Sequence, residues 1–229
     1  AGSGTGQHAI GTGSIFSNAQ VLAVDLSLSS LAYAKRKTKE FRFQNIDYMQ
    51  ADILDLERLE RQFDIVESAG VLHHMEDPMA GWKVLTNCLK PGGVMRIGLY
   101  SEFSRKDIVT IRAEIKQKKV GLSKREMKLF RNDLIKSKED HHRAVLRYSD
   151  FFSLSEFRDL LFNVQEHRFT IPKIQKSLSD LGLKFCGFNN QNVVQDFKKV
   201  HTGFDDPYNL DKWYTYEKLK PESFTGMYQ

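Results

Sequence analysis

The sequence predicts an α/β protein in which a doubly wound, mostly parallel sheet carries one helical insert. Two observations predict the sheet. A glycine-rich turn, Ala-Gly-Ser-Gly-Thr-Gly, occupies residues 1–6, and apolar runs of strand length alternate with helical patterns up to Tyr100. Such alternation is typical of parallel sheets built from strand-helix-strand units. A third observation predicts the insert, because residues 103–170 show only helical signals.

Three helices and four strands are predicted before Tyr100. The first helix runs from Gln7 to about Ser17, the second is capped by Ser27 or Ser29, and the third opens at Asp77-Pro78. A glycine turn of this kind follows a strand, so the four strands are taken as strands two to five and strand one is expected to be absent. They are residues 20–26, 45–51, 63–68 and 94–100, the last preceded by a turn at 91–93.

The remaining elements complete one expected domain over residues 1–229, truncated at both ends. Ser123 with Glu126, and Ser153 with Glu156, match the capping-box pattern, and a helix is predicted from Pro172 to near Gly182. Residues 183–188 are predicted as strand six and 224–229 as a last strand that has only begun. We expect the strand order 3-2-1-4-5-7-6, with position one empty.

Composition indicates an ordinary globular protein, with 41% apolar and 28% charged residues. Cys88 and Cys186 lie far apart in apolar contexts, which favours reduced thiols in the cytoplasm over a disulfide. The apolar stretches are too short to span a membrane, and no signal peptide is recognisable. The net charge of +5 is uneven, because residues 101–150 hold 14 Lys+Arg against 8 Asp+Glu.

The glycine turn and Asp25 together predict a nucleoside site. Glycine lets backbone approach a ligand closely, and an acid that closes a buried strand lies where ribose hydroxyls bind in open α/β sheets. The spacing is G-x-G-x-G, whereas the dinucleotide motif G-x-G-x-x-G would need glycine in place of Gln7. A P-loop is also disfavoured, because Thr12 stands where its lysine should follow Gly11.

Five ordered segments resemble class I S-adenosylmethionine-dependent methyltransferases of the ubiquinone/menaquinone-methyltransferase-like kind. The segments are AGSGTG (1–6), VLAVDLS (21–27), QADI (50–53), FDIVESAGVLHH (63–74) and LKPGGV (89–94). The resemblance implies a Rossmann-like fold, S-adenosylmethionine as cofactor and a bacterial enzyme. Similar domains follow tetratricopeptide-repeat arrays in some bacterial proteins, so such a region is an expected partner within a longer chain.

The resemblance also implies roles for individual residues. The glycine turn would pass close to the methionine part of the cofactor, Asp25 would accept both ribose hydroxyls, and Asp52 would take the adenine amine. The alternatives are a helix-capping Asp25 and an exposed turn at Asp52. The implied cofactor-binding residues are Ala1, Gly2, Ser3, Gly4, Gly6, Asp25, Leu26, Asp52, Ile53, Ser68 and Ala69.

Histidines are the candidates for catalysis. A base is needed only if the acceptor atom is protonated, and an imidazole suits that task. The candidates for the base are His73, His141, His142 and His167. We select His73, at the loop where the family carries a histidine pair, and His167, in the polar run 165–169; a structural histidine is the alternative at His167. His74 is assigned to the substrate side. No metal is expected at His73-His74, because no third ligand lies at a suitable spacing.

Motifs that are absent from the sequence narrow the chemical class of the methyl acceptor. The Asn/Asp-Pro-Pro-aromatic motif of amino-group methyltransferases acting on adenine or glutamine is replaced by Glu-Ser-Ala-Gly at 67–70, and a Pro-Cys nucleophile is lacking. A small molecule, or a group on a protein or glycan, remains. Nucleic acid is disfavoured, because the aromatic residues of the insert are too scattered for a stacking platform. Two alternatives stay open: a non-catalytic S-adenosylmethionine-binding module, and a nicotinamide-dependent enzyme that Gln7 disfavours.

The helical insert, residues 103–170, is expected to cover the cofactor site as a lid. Class I methyltransferases build specificity on additions near the carboxyl ends of the strands. The positive charge of the segment predicts an acceptor with a carboxylate or phosphate; a solvated helical face or a partner surface is the alternative. The predicted substrate residues, besides His74, are His141, His142, Arg143 and Arg168.

Overall fold

The chain divides into two compact units. The computed structural model describes residues 1–163, 165–204 and 206–229. The first unit comprises residues 1–99, 175–190 and 228–229, and the second comprises 100–174 and 191–227. Among the described residues, no helix combines the length and the apolar composition that crossing a membrane requires.

Helices and strands alternate in the first unit, as the sequence predicts. The helices are α1 (Gln7–Ile15), α2 (Leu28–Glu40) and α3 (Pro78–Asn87), with short 3-10 helices at Ile53–Leu59 and Leu72–His74. The strands are β1 (Val21–Asp25), β2 (Ile46–Gln50), β3 (Phe63–Ala69) and β4 (Leu89–Gly98).

The four strands form two parallel pairs. β1 pairs with β2 in one sheet and β3 with β4 in another, and no ladder joins the two sheets among the described residues. β1 to β4 correspond to the predicted strands two to five, so the two pairs confirm that strand two neighbours strand three and that strand four neighbours strand five. A cavity of about 1040 Å³ is lined by residues 21–24 of β1 and 63–67 of β3, where the predicted order has its empty position. That a first strand belongs there stays a prediction.

The helix starts of the first unit follow the predicted capping chemistry. Ser27 is the N-cap of α2, where its side chain accepts a hydrogen bond from the Ser30 N–H (3.2 Å). Asp77 caps α3 by accepting from the N–H groups of Met79 (2.8 Å) and Ala80 (3.2 Å). Both capping side chains accept from backbone N–H groups that the start of a helix leaves without partners.

Three predicted details of the strands are wrong. β4 begins at Leu89 rather than at Val94, and the turn at 91–93 loops out within it: Leu89 pairs with Phe63 and Val94 with Ile65. Residues 183–188 form no strand, and residues 224–229 contribute only an antiparallel bridge between Tyr228 and Leu99. A strand forms only where a neighbouring strand pairs with it through a ladder of hydrogen bonds. The single bridge between Tyr228 and Leu99 is too short to provide such a neighbour for residues 183–188.

The second unit is helical through the predicted insert. Its buried core joins side chains from the first four of its helices, among them Ile108, Phe130 and Phe157. The helices are α4 (Lys106–Gln117), α5 (Lys124–Lys136), α6 (Asp140–Val145), α7 (Leu154–Phe162), α9 (Gln191–Lys198) and α10 (Leu210–Leu219), while α8 (Ile171–Asp180) is divided between the units. Short 3-10 helices lie at Ser149–Phe151, Asp206–Tyr208 and Pro221–Phe224.

One of the two predicted capping boxes forms. At the start of α5, the Ser123 side chain accepts from the Glu126 N–H (3.2 Å), and the Glu126 carboxylate accepts from the Ser123 N–H (3.3 Å). At the start of α7, Ser153 is the N-cap but accepts no capping hydrogen bond with its side chain, so the second box was wrong. The sequence pattern is the same at both sites, and only the side-chain conformation distinguishes them.

A buried ion cluster ties together the core of the second unit. The Glu166 carboxylate accepts from the guanidinium groups of Arg105 (2.6 Å) and Arg112 (2.9 Å), and the Glu166 and Arg105 side chains are almost fully buried. Arg105 also stacks on the Tyr100 ring, 3.7 Å from its centroid. Burial alone would raise the pKa of Glu166, but hydrogen bonds and charge from the two arginines outweigh it and hold this pKa below its ordinary value.

Candidate cofactor-binding site

The glycine turn connects the carboxyl-terminal halves of β1 and β3. The Ser3 N–H donates to the Val24 carbonyl of β1 (2.9 Å), and the amino group of Ala1 donates to the Glu67 carbonyl of β3 (2.6 Å). α1 then begins after Gly6. The turn therefore lies at the sheet edge where open α/β folds bind their ligands.

Three glycines of the turn have backbone conformations that other residues rarely adopt. Their φ angles are 72° at Gly2, 51° at Gly4 and 85° at Gly6. A Cβ at Gly2 would lie 2.0 Å from a Val71 methyl carbon, and one at Gly6 would lie 2.6 Å from the Ala34 Cβ. A Cβ at Gly4 would instead meet open space. Gly2 and Gly6 are thus required by packing, while Gly4 borders space that a ligand can occupy.

The Asp25 carboxylate holds the turn in place. Its Oδ2 accepts from the Gly4 N–H (2.7 Å) and its Oδ1 accepts from the Ser27 N–H (2.8 Å). The bond from the Ser27 N–H resembles the helix-capping alternative for Asp25. The bond from the Gly4 N–H directly joins the glycine turn to Asp25, the two parts of the predicted nucleoside motif. Each carboxylate oxygen has a second lone pair. The half-buried Asp25 can therefore accept ribose hydroxyls while it positions the turn.

The predicted adenine side lies at the end of the neighbouring strand. Asp52 follows β2, is half-buried and caps the following 3-10 helix, its Oδ1 accepting from the Leu54 N–H (2.9 Å). Ile53 is buried, and Leu26 after β1 is 67% exposed. Since β1 and β2 are parallel neighbours paired at Asp25 and Gln50, Asp25 and Asp52 follow adjacent strand ends. Their binding roles stay predictions.

The remaining predicted residues of the first unit lie at or just after the carboxyl end of β3. Ser68 is buried, and its hydroxyl has no hydrogen-bond partner among the described residues. Ala69 is half-buried and precedes Gly70, which has a φ of 79°. His73 is fully buried in the 3-10 helix Leu72–His74, with its ring centroid 4.3 Å from that of the half-buried His74. The roles of both histidines in catalysis or substrate binding stay predictions.

These features fit S-adenosylmethionine. The open side of Gly4 provides room beside the turn, Asp25 provides a carboxylate for ribose, and the Ser68 hydroxyl is a buried polar group still available to bond. The 1040 Å³ cavity touches only part of this set, because Ala1, Gly2, Ser3 and Ala69 line it whereas Asp25, Asp52 and Ser68 do not. It reflects the space between the two strand pairs.

The remaining predicted residues belong to the second unit. His141 and His142 are hydrogen-bonded to Glu114, Arg143 is exposed, and His167 is half-buried. Arg168 lies 4.0 Å from the Glu166 carboxylate. Their substrate or catalytic roles, and the lid formed by residues 103–170, stay predictions.

Sequence reasoning missed several residues that organise these sites. Val71 packs against Gly2, and Glu166 anchors two arginines although it lies in the polar run from which only His167 and Arg168 were selected. A lone acid among apolar helices was the available signal for Glu166, because such a charge requires a buried partner. No spacing rule connects Glu114 with His141, 27 residues later.

Comparison with known proteins identifies the first part of the chain. Residues 1–97 match a family model described as a methyltransferase domain. This segment contains the glycine turn, Asp25, Asp52 and Ser68, which the geometry above brings to the carboxyl ends of β1 to β3. The matched segment, which is less than half of the chain, is thus similar to methyltransferase domains, and its glycine turn and Asp25 follow the pattern of class I S-adenosylmethionine-dependent methyltransferases.

Two curated relatives match different shares of the chain. An uncharacterized protein of Synechococcus, syc1184_c, is 27% identical over 97% of this chain and 57% of its own length. A demethylmenaquinone methyltransferase of Staphylococcus saprophyticus is 36% identical over 33% of this chain and 32% of its own.

Solved structures show the same fold. PKMT2 from Rickettsia typhi aligns with a TM-score of 0.73 at 16% identity, over 96% of this chain and 45% of that one. Its complex with AdoHcy aligns with a TM-score of 0.67 at 18% identity and the same coverage. The chain thus spans about half the length of PKMT2 and of the Synechococcus protein.

Proposed function

We propose that this chain transfers a methyl group from S-adenosylmethionine to a small molecule or to a side chain of a protein. The observation that carries the proposal is the Gly4–Asp25 hydrogen bond, which couples the glycine turn to the carboxylate expected to bind ribose. Further support comes from the AdoHcy-bound state of PKMT2 and from relatives named demethylmenaquinone methyltransferase and ubiquinone biosynthesis O-methyltransferase.

The chemistry places modest demands on the residues of the chain. The sulfonium cofactor supplies an electrophilic methyl group and leaves as a neutral thioether, so no developing anion needs stabilisation. Holding the acceptor in line with that methyl group is the main task, and orientation of this kind contributes up to about 7–11 kcal/mol in favourable cases. The glycine turn, Asp25 and Asp52 would provide the fixed side of this arrangement.

A protonated acceptor would also need a base. His73 and His167 are the candidates, and at either position a neutral imidazole would remove the acceptor proton before transfer. His73 is fully buried beside His74, so a role for it requires an acceptor that reaches the end of β3. His167 is half-buried, and Arg168 next to it in the sequence would bind an anionic group of the acceptor.

We place the activity in the bacterial cytoplasm, within a longer chain that includes tetratricopeptide repeats. Bacterial relatives and two cysteines without a disulfide support this location. The acceptor is expected among metabolites or proteins rather than nucleic acids.

A transfer assay tests the proposal. The chain is incubated with S-adenosylmethionine labelled on its methyl carbon and with a bacterial extract separated into small-molecule and protein fractions. We expect label in one fraction with the wild-type chain and much less with Asp25→Ala at the same cofactor concentration. Binding of S-adenosylhomocysteine without label transfer in any fraction would contradict catalysis and favour the non-catalytic module. Label in nucleic acid alone would contradict the acceptor class.

A further inference from the structure

One carboxylate and two imidazoles converge in the second unit. Glu114 lies on α4, and His141 and His142 are consecutive residues of α6. The Glu114 Oε1 lies 2.6 Å from the His141 Nε2 and 2.9 Å from the His142 Nε2. The potential ligand atoms of the three side chains all lie within 4.8 Å of one another.

The convergence of the two histidines is unusual for neighbours in a helix. Consecutive helical residues ordinarily point to different faces. Here the two rings lie 4.2 Å apart between centroids, and both direct Nε2 to the same oxygen of Glu114. A carboxylate and two imidazole nitrogens can each donate an electron pair to a metal ion, so a cation shared among them would stabilise the arrangement.

The surroundings match those of a metal ligand set. The His142 Nδ1 is 2.7 Å from the Ser137 hydroxyl, and a contact at the second ring nitrogen is the usual device that orients a ligating histidine. The three side chains are 10–24% exposed, which leaves one side accessible to water. Lys118 competes for the site, because its ammonium group lies 2.9 Å from the other Glu114 oxygen; it is 56% exposed and free to turn into solvent.

We propose that Glu114, His141 and His142 bind a divalent transition-metal ion, with zinc as the preferred ion. Two histidines, one glutamate and a water are an established tetrahedral set for zinc, at metal–ligand distances of about 2.0–2.2 Å. Such distances separate ligand atoms by about 3.3 Å. The oxygen–nitrogen distances of 2.6 Å and 2.9 Å must therefore open by about 0.7 Å and about 0.4 Å, which small rotations of partly exposed side chains provide.

The bound ion would fasten α4 to α6 and stabilise the second unit by mass action, because the unfolded chain lacks the preformed ligand set. This site lies outside the residues assigned to S-adenosylmethionine. The sequence predicted no metal, since Glu114 and the histidines are far apart along the chain.

Titration calorimetry with zinc chloride, on the full 229-residue chain, tests the proposal. We expect one Zn²⁺ per chain, and we expect Co²⁺ in its place to give the visible absorption of a four-coordinate site. His142→Ala and Glu114→Gln should each weaken zinc binding at least tenfold, whereas His8→Ala, at an exposed histidine of the first unit, should leave it unchanged. Circular dichroism verifies that each variant is folded.

Lys118→Met provides a test in the opposite direction. Removing the competing ammonium should strengthen zinc binding, a result that a cluster held only by hydrogen bonds would not give. The proposal is overturned if the folded wild-type chain binds no Zn²⁺ at 100-fold molar excess, or if binding is equal in wild type, His142→Ala and Glu114→Gln. If His8→Ala bound zinc more tightly than Lys118→Met, the zinc ion would lie away from Glu114, and the proposed site would also be overturned.

Discussion

The Asp25 carboxylate fixes the glycine turn and could also accept the ribose hydroxyls that the sequence predicts for it. It accepts backbone N–H groups from Gly4 and Ser27, which fixes the turn against β1, and it retains lone pairs for a sugar. The capping alternative and the binding prediction are therefore compatible at this residue. An acid in this position organises the loop before any ligand is bound, so that less ordering is needed on binding.

Gly4 is the glycine whose replacement should harm binding more than packing. In Gly4→Ala the new methyl group would enter the open space beside the turn, and the φ of 51° would be strained. We expect S-adenosylhomocysteine affinity to fall at least tenfold while secondary structure is retained. Gly11→Ala is the matched control, because Gly11 also faces open space but lies within α1. Equal affinities for the two variants, measured by calorimetry, would contradict the position of the ligand.

At the scale of elements, the Glu166 cluster should make the second unit sensitive to acid. The pKa of Glu166 lies below its ordinary value of 4.5 in the folded chain, so the stabilisation is complete above that pH and is lost as the pH falls through the lower folded value. Glu166→Gln leaves two arginines without their buried partner and should cost about 3–5 kcal/mol near neutrality.

Urea unfolding between pH 7 and pH 3 measures this effect. The difference in unfolding free energy between wild type and Glu166→Gln should shrink as the pH falls below about 4.5. Glu156→Gln, at an exposed acid of α7, should differ little from wild type throughout. A constant difference between wild type and Glu166→Gln across this range would contradict the ionised state assigned to Glu166.

The helical insert carries the substrate prediction. His167→Ala and Arg168→Ala should lower turnover, by about 100-fold or more if His167 is the base, while S-adenosylhomocysteine affinity changes little. Lys128→Ala, at an exposed position of α5, should retain turnover. Steady-state rates with the acceptor found in the transfer assay provide the comparison. Wild-type turnover in both variants would remove these residues from the site and favour the partner-surface alternative.

At the scale of the whole molecule, the divided sheet predicts low stability. Sheets of two strands are marginal without further pairing, and each buried backbone group left without a partner costs about 1–3 kcal/mol. The cavity lies between β1 and β3, which no ladder joins among the described residues. We expect the isolated 229-residue chain to melt below about 45 °C with a broad transition in circular dichroism. A sharp, cooperative melt above about 65 °C would contradict this expectation.

The sequence predicted those parts of the fold that depend on local chemistry. Asp77 followed by Pro78 starts a helix by its own hydrogen bonds, and the apolar runs at β1 to β3 are strands within a residue or two of their predicted limits. The strand predicted at residues 183–188 was wrong because a strand also needs a partner strand, which the pattern of apolar side chains cannot reveal. The cluster of Glu114, His141 and His142 was not predicted for a related reason, since only the packing of α4 against α6 brings these side chains together.

Titration calorimetry of the folded chain with S-adenosylhomocysteine, at 10 °C, tests the central claim most directly. We expect one S-adenosylhomocysteine site per chain, no binding of NAD, and a loss of at least tenfold in S-adenosylhomocysteine affinity for Asp25→Ala, because each hydrogen bond to a charged group contributes about 1.5–3 kcal/mol. Asp47→Ala, at an exposed acid of β2, should bind like wild type. Binding of NAD but not S-adenosylhomocysteine, or unchanged affinity in Asp25→Ala, would contradict the account.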